Sequence, residues 1–131
     1  MAQPTTRTTP SPPSVQVFGL VDDQATRAAL RFFKERRLAI HFVDLRRKPM
    51  APGELRRFTG RLGARTVLDR KGRHARALGF AYLHLTEAEL AERLLADQRL
   101  LLLPLVRCGN EVSAGPAETS WKEWLAGPRP G

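Results

Sequence analysis

The chain has 131 residues, 42% of them apolar, which is enough for one compact domain with a core and excludes a compositionally disordered protein. Its single cysteine excludes an internal disulfide and any Cys-x-x-Cys redox or zinc motif within one chain. The net charge of +9 is concentrated between residues 31 and 76, where 15 Lys/Arg stand against 4 Asp/Glu. Such a field favours anionic partners, although a solvated Arg-rich surface is the simpler interpretation.

The two ends of the chain differ in composition from its middle. Residues 1–13 are rich in Thr, Pro and Ser and predict a disordered tail, and residues 127–131 predict a frayed end. Residues 14–126 are predicted to form a single domain. The N-terminal stretch lacks the apolar centre of a secretory signal, and the longest apolar run, Leu100 to Val106, is too short to span a bilayer. We therefore expect a soluble cytoplasmic protein with no membrane contact.

The first half of the chain predicts a βαβ unit. Ser14–Phe18 reads as a buried strand, and Gly19 permits a tight turn after it. Asp22 is a suitable N-cap for a helix that runs to about Arg37. A second strand, residues 38–45, follows at once, so the two strands are expected to be parallel with a right-handed crossover.

The second half predicts a helical insert, a hairpin and a last helix. The capping-box spacing of Thr86 and Glu89 marks the clearest helix, and Gly109-Asn110 is typical of a two-residue hairpin turn. Further helices are predicted at residues 54–59, near 74–78, and after Pro116 with Trp121, Trp124 and Leu125 facing the sheet. The order β-α-β, helical insert, β-β-α predicts an α/β fold of the thioredoxin-like type, with a four-stranded mixed sheet and helices on its faces.

Several strings resemble the ArsC/Spx-like family of thioredoxin-fold proteins, which includes arsenate reductases. They are, in chain order, VFGLVDDQATRAAL, FVDLRRKPMAPGELRRF, LGARTVLDRKG and LTEAELAERLLADQRLLLLPLV. The resemblance extends from about residue 15 to residue 125. Their order and spacing are together fairly specific for the fold.

The resemblance also implies which residues stand at the family's functional positions. The position of the nucleophilic Cys holds Asp23, while Arg27 matches an Arg one turn further along the helix. The Arg before a cis-proline is replaced by Leu103, and the Leu103–Pro104 bond is expected to be cis. An Arg of the central loop falls near Arg70. We use the name helix-start site for these positions without Arg70 and with the neighbouring Asp22: Asp22, Asp23, Arg27, Leu103 and Pro104.

Arsenate reduction needs a thiolate, which a helix N-terminus stabilises. Asp23 can supply a negative charge at that place, but it cannot be oxidised or form a thiol-arsenate adduct. The neighbouring Asp22 adds a charge that would repel arsenate. The simplest interpretation is that both carboxylates cap the helix and complement its dipole, so we predict no catalytic residue here and no arsenate reductase activity. Arg27, Arg70 and Pro104 remain candidates for binding a ligand.

Cys108, on a predicted hairpin strand, is a candidate redox sensor, although a lone cysteine is more often a small buried hydrophobe. His41, His74 and His84 lack metal-ligand spacing, so no metal site is predicted. The aromatics of the basic segment, Phe32, Phe33, Phe42 and Phe58, are expected in the core. This argues against direct nucleic-acid binding.

The leading hypothesis is a non-catalytic ArsC/Spx-like protein that works by binding a protein or a small anionic or thiol ligand. No cofactor is required, and glutathione is a candidate ligand. One alternative is a glutathione-dependent, reductase-like enzyme without a catalytic thiol of its own. Another is a transcription-associated adaptor, because the resemblance to Spx implies RNA polymerase as a candidate partner.

Overall fold

A computed structural model describes residues 14–126, and the predictions for residues 1–13 and 127–131 lie outside this range. The described part contains four strands and six α-helices. They are β1 (Ser14–Gly19), α1 (Gln24–Glu35), β2 (Ala39–Asp44), α2 (Pro52–Leu62), α3 (Ala64–Val67), α4 (Arg73–Ala77), α5 (Glu87–Ala96), β3 (Leu105–Cys108), β4 (Glu111–Ala114) and α6 (Glu118–Leu125). Short 3₁₀ turns occupy Phe80–Tyr82 and Gln98–Leu100.

The strands form one mixed sheet in the order β2-β1-β3-β4. Strand β1 pairs with β2 in parallel, from Ser14 opposite Ala39 to Gly19 opposite Asp44. It pairs with β3 in the antiparallel sense, with Phe18 opposite Leu105, and β3 continues through the Gly109-Asn110 turn into β4. The predicted thioredoxin-like arrangement is therefore confirmed.

Alternation along the strands places two hydrophobic cores on opposite faces of the sheet. Val15 and Val17 of β1 face a core with Phe32 and Phe33 of α1 and Trp121 of α6. The next residue, Phe18, points to the other core, which the helical insert covers with mainly Leu, Phe and Val side chains: Leu55, Phe58, Val67, Leu90 and Leu94. Phe42 is half-buried against the first core, so the aromatics of the basic segment serve the interior as expected.

The ends of α1 differ from the prediction. Asp23, not Asp22, is the N-cap residue, because its extended backbone lets the side chain accept from the N–H of Thr26. The helix ends at Glu35 rather than near Arg37, since Arg37 adopts a left-handed conformation with φ of 60°. That turn leads the chain directly into β2.

The helical insert holds more helix than its sequence predicts. Helix α2 runs from Pro52 to Leu62, because Gly60 lies inside it and the chain turns only at Gly63, where φ is 86°. Helix α3 is missing from the prediction, since four residues are too few to show a helical period. The capping box of α5 is confirmed: Thr86 and Glu89 each bond the other's backbone N–H.

Within residues 14–126, every helix is too short or too polar to cross a lipid bilayer.

Candidate functional site

The helix-start site forms where β1 ends and α1 begins. Gly19 and Thr26 are both buried there, and the Leu20 N–H lies 3.4 Å from Thr26 Oγ1. A Cβ on Gly19 would overlap both Oγ1 and Cγ2 of Thr26. The close approach of strand and helix therefore requires a glycine at position 19.

The Asp23 carboxylate bonds the first turn of α1. One oxygen, Oδ2, accepts from the Thr26 N–H and from the Thr26 hydroxyl, each at 2.8 Å. A helix N-terminus is a general site for anions, because its N–H groups lack partners within the helix. Asp23 thus satisfies one of these donors with a carboxylate of the chain itself.

Asp22 makes a different interaction from its neighbour. Its two oxygens accept from the guanidinium of Arg46, at 3.1 and 3.3 Å, in a bidentate ion pair exposed to solvent. The hydrogen bond from Arg46 lowers the pKa of Asp22, with partial desolvation opposing it and the charge of Arg27 adding to the lowering. Asp22 is therefore a carboxylate at neutral pH, and a cation offsets its charge.

The other members of the site lie at the same end of the sheet. Arg27 is exposed on the first turn of α1, and its N–H donates to the Asp23 carbonyl. Pro104 precedes Leu105, whose pairing with Phe18 brings Pro104 beside Gly19. The Leu103–Pro104 peptide bond is cis, as the resemblance implies, and Pro104 is fully buried while Leu103 is half-buried.

Arg70 follows helix α3 in a segment where Leu68 forms a bridge with Leu101, two residues before Leu103. It lines a cleft of the helical insert with Leu68, Phe80 and Ala81, and Asp23 is not among the lining residues of that cleft. The structure thus places Arg70 at the edge of a cleft whose lining is partly apolar and partly basic.

Cys108 lies at the far end of β3 from Pro104, about 13 Å away at the usual rise per residue. Its thiol is half-buried beside the core that contains Trp121. Burial raises the pKa of Cys108, and the charge of Glu111 adds to the effect. Because the thiolate is the reactive form, this setting disfavours a redox role at neutral pH.

The three histidines are apart from the helix-start site. His41 is exposed on β2 with its Nδ1 3.3 Å from the Gln16 amide, and His84 is exposed in the loop before α5. His74 pairs with Asp97, with 2.6 Å between Nε2 and Oδ2. Each histidine therefore has a separate environment.

Two residues of the site escaped the sequence analysis. Thr26 stands three positions after the N-cap, and the Asp-x-x-Thr spacing could have indicated that its N–H bonds the Asp23 side chain. Arg46 follows β2, and the carboxyl ends of parallel strands meet at one edge of a sheet, so a basic residue there could have been placed near Asp22. Both signals become specific only when the N-cap and the strand register are known.

The arrangement offers charge and hydrogen bonds but no nucleophilic sulfur. The carboxylates of Asp22 and Asp23 are both engaged, with Arg46 and with Thr26. Arg27 is the member that presents an exposed cation. The site can therefore hold a polar or anionic group at its rim through Arg27, and its described geometry contains no paired acid and base.

Comparison with known proteins connects this geometry to a family. A search of curated proteins finds no significant match. Among solved structures, the YffB protein is 24% identical with a TM-score of 0.76, covering 83% of this chain and 96% of that one. An arsenate reductase from Vibrio cholerae is 17% identical with a TM-score of 0.74, covering 86% of this chain and 98% of the other.

A third solved structure, a putative ArsC family related protein from Bacteroides fragilis, is 16% identical with a TM-score of 0.76, and the match covers 83% and 95% of the two chains. At these identities the likeness establishes a shared fold. The model of the ArsC family matches residues 18–124, which include α1 with Arg27, the insert, the cis-proline and strands β2 to β4. The chain therefore belongs to the ArsC family.

Proposed function

We propose that this ArsC-family protein has no arsenate reductase activity and acts by binding. The observation that carries the proposal is the double hydrogen bond from Thr26 to Asp23 Oδ2 at the start of α1. The side chain of residue 23 is a carboxylate, and its hydrogen bonds are those of a helix N-cap.

Two physical effects support the proposal. An oxyanion approaching the start of α1 would have to displace Asp23 from the Thr26 N–H, at the cost of a good N-cap, about 1 kcal/mol. It would also meet the charges of Asp22 and Asp23, of which only Asp22 is ion-paired with Arg46 among the described residues. Neither carboxylate can donate the electrons that reduction of arsenate requires.

The proposed ligand is a protein surface or a small anionic or thiol compound such as glutathione, held at the rim by Arg27. An exposed guanidinium can pair with a carboxylate of either kind of ligand. No cofactor is part of the proposal. The resemblance to Spx makes RNA polymerase a candidate partner. Affinity capture at moderate and at high salt tests this binding, because a purely electrostatic contact is lost at high salt.

The absence of reductase activity is tested by arsenate-dependent oxidation of glutathione, with an active arsenate reductase as the positive control. We expect the wild-type chain and an Asp23→Asn variant to give the same background rate. Turnover by the wild type that disappears in Asp23→Asn would contradict the proposal, because it would make Asp23 a catalytic group.

The binding role is tested by titrating glutathione while following backbone amide shifts. Shifts confined to Asp23, Arg27 and Leu103, and absent in an Arg27→Ala variant, are expected for a small ligand at the helix-start site. A matched Arg31→Ala variant, on an exposed position of the same helix, should behave as the wild type. An unchanged spectrum would exclude glutathione as the ligand, and a protein surface would remain the proposed partner.

A further inference from the structure

An apolar patch is exposed on the helical insert. Between residues 78 and 83, the relative exposures of Leu78, Tyr82 and Leu83 are 51%, 85% and 38%. In the described part of the chain, only Val21 among other large apolar residues is comparably exposed. Single exposed apolar residues are ordinary, but a contiguous group of them is typical of an interaction surface.

This patch borders a cleft with an apolar floor. Two adjoining hollows of about 160 and 280 Å³ share Leu68, Arg70, Phe80 and Ala81. Buried Leu68 and Leu90 lie at the bottom of the smaller hollow, and Leu83 and Leu85 line its side. We name this feature the insert cleft. The cleft is concave, with apolar side chains at its floor and polar groups around its opening, which suits a large apolar side chain with polar neighbours.

The fold holds the cleft open in a defined way. Gly79 adopts φ of 73°, which turns the chain sharply between α4 and the 3₁₀ turn at Phe80–Tyr82. Helix α4 is itself tied to the segment after α5 by the contact between His74 and Asp97. The turn at Gly79 and the contact between His74 and Asp97 thus position the segment that lines the cleft.

The rim of the insert cleft is basic. Arg65, Arg70 and Lys71 line it and are exposed, and Arg65 donates to the Leu85 carbonyl. Within residues 14–126, Arg70 and Lys71 have no salt-bridge partner. An apolar floor under unpaired cations is complementary to a segment with an apolar side chain among acidic ones.

We propose that the insert cleft binds an acidic segment of a partner protein, with one large apolar side chain of that segment in the cleft. This inference rests on the proposed binding role and adds to it a surface and a class of partner. A duplex nucleic acid would pair with the cations, but its bases are stacked inside the helix and its charged backbone offers no apolar group to the floor of the cleft. The area of exposed Leu and Tyr around the cleft therefore favours a peptide.

The probe is a short fluorescent peptide of Asp and Glu with one central Trp, measured by fluorescence anisotropy. A second peptide carries Ser in place of Trp. We expect the Trp peptide to bind and the Ser peptide to bind at least about tenfold more weakly. Equal binding of both peptides would overturn the proposal, since the contact would then be electrostatic only. Absence of any binding would overturn it as well.

Variants locate the binding. Ala81→Glu places a like charge in the cleft and is expected to weaken binding of the Trp peptide about tenfold, as is Lys71→Glu at the rim. Both positions are exposed, and a thermal melt checks that each variant remains folded. Arg31→Glu on α1 makes the same change of net charge as Lys71→Glu and should leave the affinity within about twofold.

Two further outcomes would overturn the proposal: unchanged affinity in both cleft variants, or an oligonucleotide or anionic vesicle that binds through the cleft while the Trp peptide does not. Arg27→Glu distinguishes this cleft from the helix-start site. The affinity of the Trp peptide for Arg27→Glu should equal its affinity for Arg31→Glu. None of these binding measurements depends on arsenate turnover. Failure here is therefore distinguishable from failure of the proposed function.

Discussion

Gly19 and Thr26 decide how closely α1 approaches the end of β1. The two residues are buried against each other, and Thr26 at the same time donates twice to Asp23. One contact therefore joins strand, cap and helix. Asp22, one residue earlier, carries the same carboxylate but points to Arg46. Adjacent residues of identical type thus have separate roles because their backbone positions differ.

Replacing Gly19 with Ala should destabilise the protein, because the new Cβ overlaps the Thr26 side chain. We expect a loss of about 1–3 kcal/mol in the free energy of unfolding, as for other overpacked sites. Chemical denaturation measures the change.

Gly60→Ala is the matched control for that substitution. Gly60 lies inside α2, and a Cβ there meets no atom within 4 Å. The same chemical change should therefore raise the stability, by about 0.5–1 kcal/mol, through helix propensity alone. Equal effects at the two positions would contradict the close contact of Gly19 with Thr26.

At the scale of elements, α4 is joined to the segment after α5 by side-chain hydrogen bonds to Asp97. His74 of α4 lies 2.6 Å from Asp97, which also accepts from the Arg99 guanidinium at 3.0 Å. The hydrogen bond from Arg99, with that from His74, lowers the pKa of Asp97 from 3.8 to about 2, and desolvation opposes the change. This cluster holds the short α4 helix, which has five residues and no side-chain cap.

The lowered pKa predicts how stability depends on pH. Since Asp97 titrates at a lower pH in the folded state, its contribution is present above pH 4 and is lost as the pH falls towards 2. We expect Asp97→Asn to cost about 1 kcal/mol near pH 7, because solvent screens part of the interaction. The difference from wild type should shrink as denaturation is repeated down to about pH 3.

Glu92→Gln serves as the control for the pH series. Glu92 is exposed on α5 and has no salt bridge within the described residues. Its small difference from wild type should not follow the trend of Asp97→Asn. A pH-independent difference for Asp97→Asn would show that His74 and Arg99 do not stabilise the charged carboxylate.

At the scale of the whole molecule, one sheet separates two cores with different contents. The α1–α6 side contains Trp121, whose indole N–H donates to the buried Ser113 hydroxyl at 2.8 Å. The insert side is built from Leu, Val, Met and Phe side chains, among them Val67. Because the sheet lies between them, Ser113 and Val67 share no partner.

The separation of the cores predicts that substitutions on the two sides are additive. Ser113→Ala leaves the Trp121 indole without its acceptor and should cost about 1–3 kcal/mol. Val67→Ala should cost about 2 kcal/mol through lost burial and a cavity. The double variant should lose the sum within about 0.5 kcal/mol in chemical denaturation. A larger deviation would show that the cores are energetically coupled through the sheet.

Much of the fold could be predicted from local signals. The capping box of Thr86 and Glu89 marks the start of α5, and Gly109-Asn110 marks the hairpin, because each signal acts over a few residues. Helix α3 could not be predicted, since its four residues are held by packing of Ala64 and Val67 into the insert core. Local propensity is too weak to specify so short a helix.

The sequence by itself determined the order of the strands and of the longer helices, the single cysteine and the carboxylates at the start of α1. Period, turn chemistry and composition are properties of neighbouring residues and can be read along the chain. Only the tertiary structure decided that Asp23 rather than Asp22 caps α1, that Arg46 pairs with Asp22, and that Arg70 lines the insert cleft. These contacts depend on strand register and on how the insert folds back over the sheet. Residues as far apart in the sequence as Asp22 and Arg46 come into contact only once the strand register and the fold of the insert are formed.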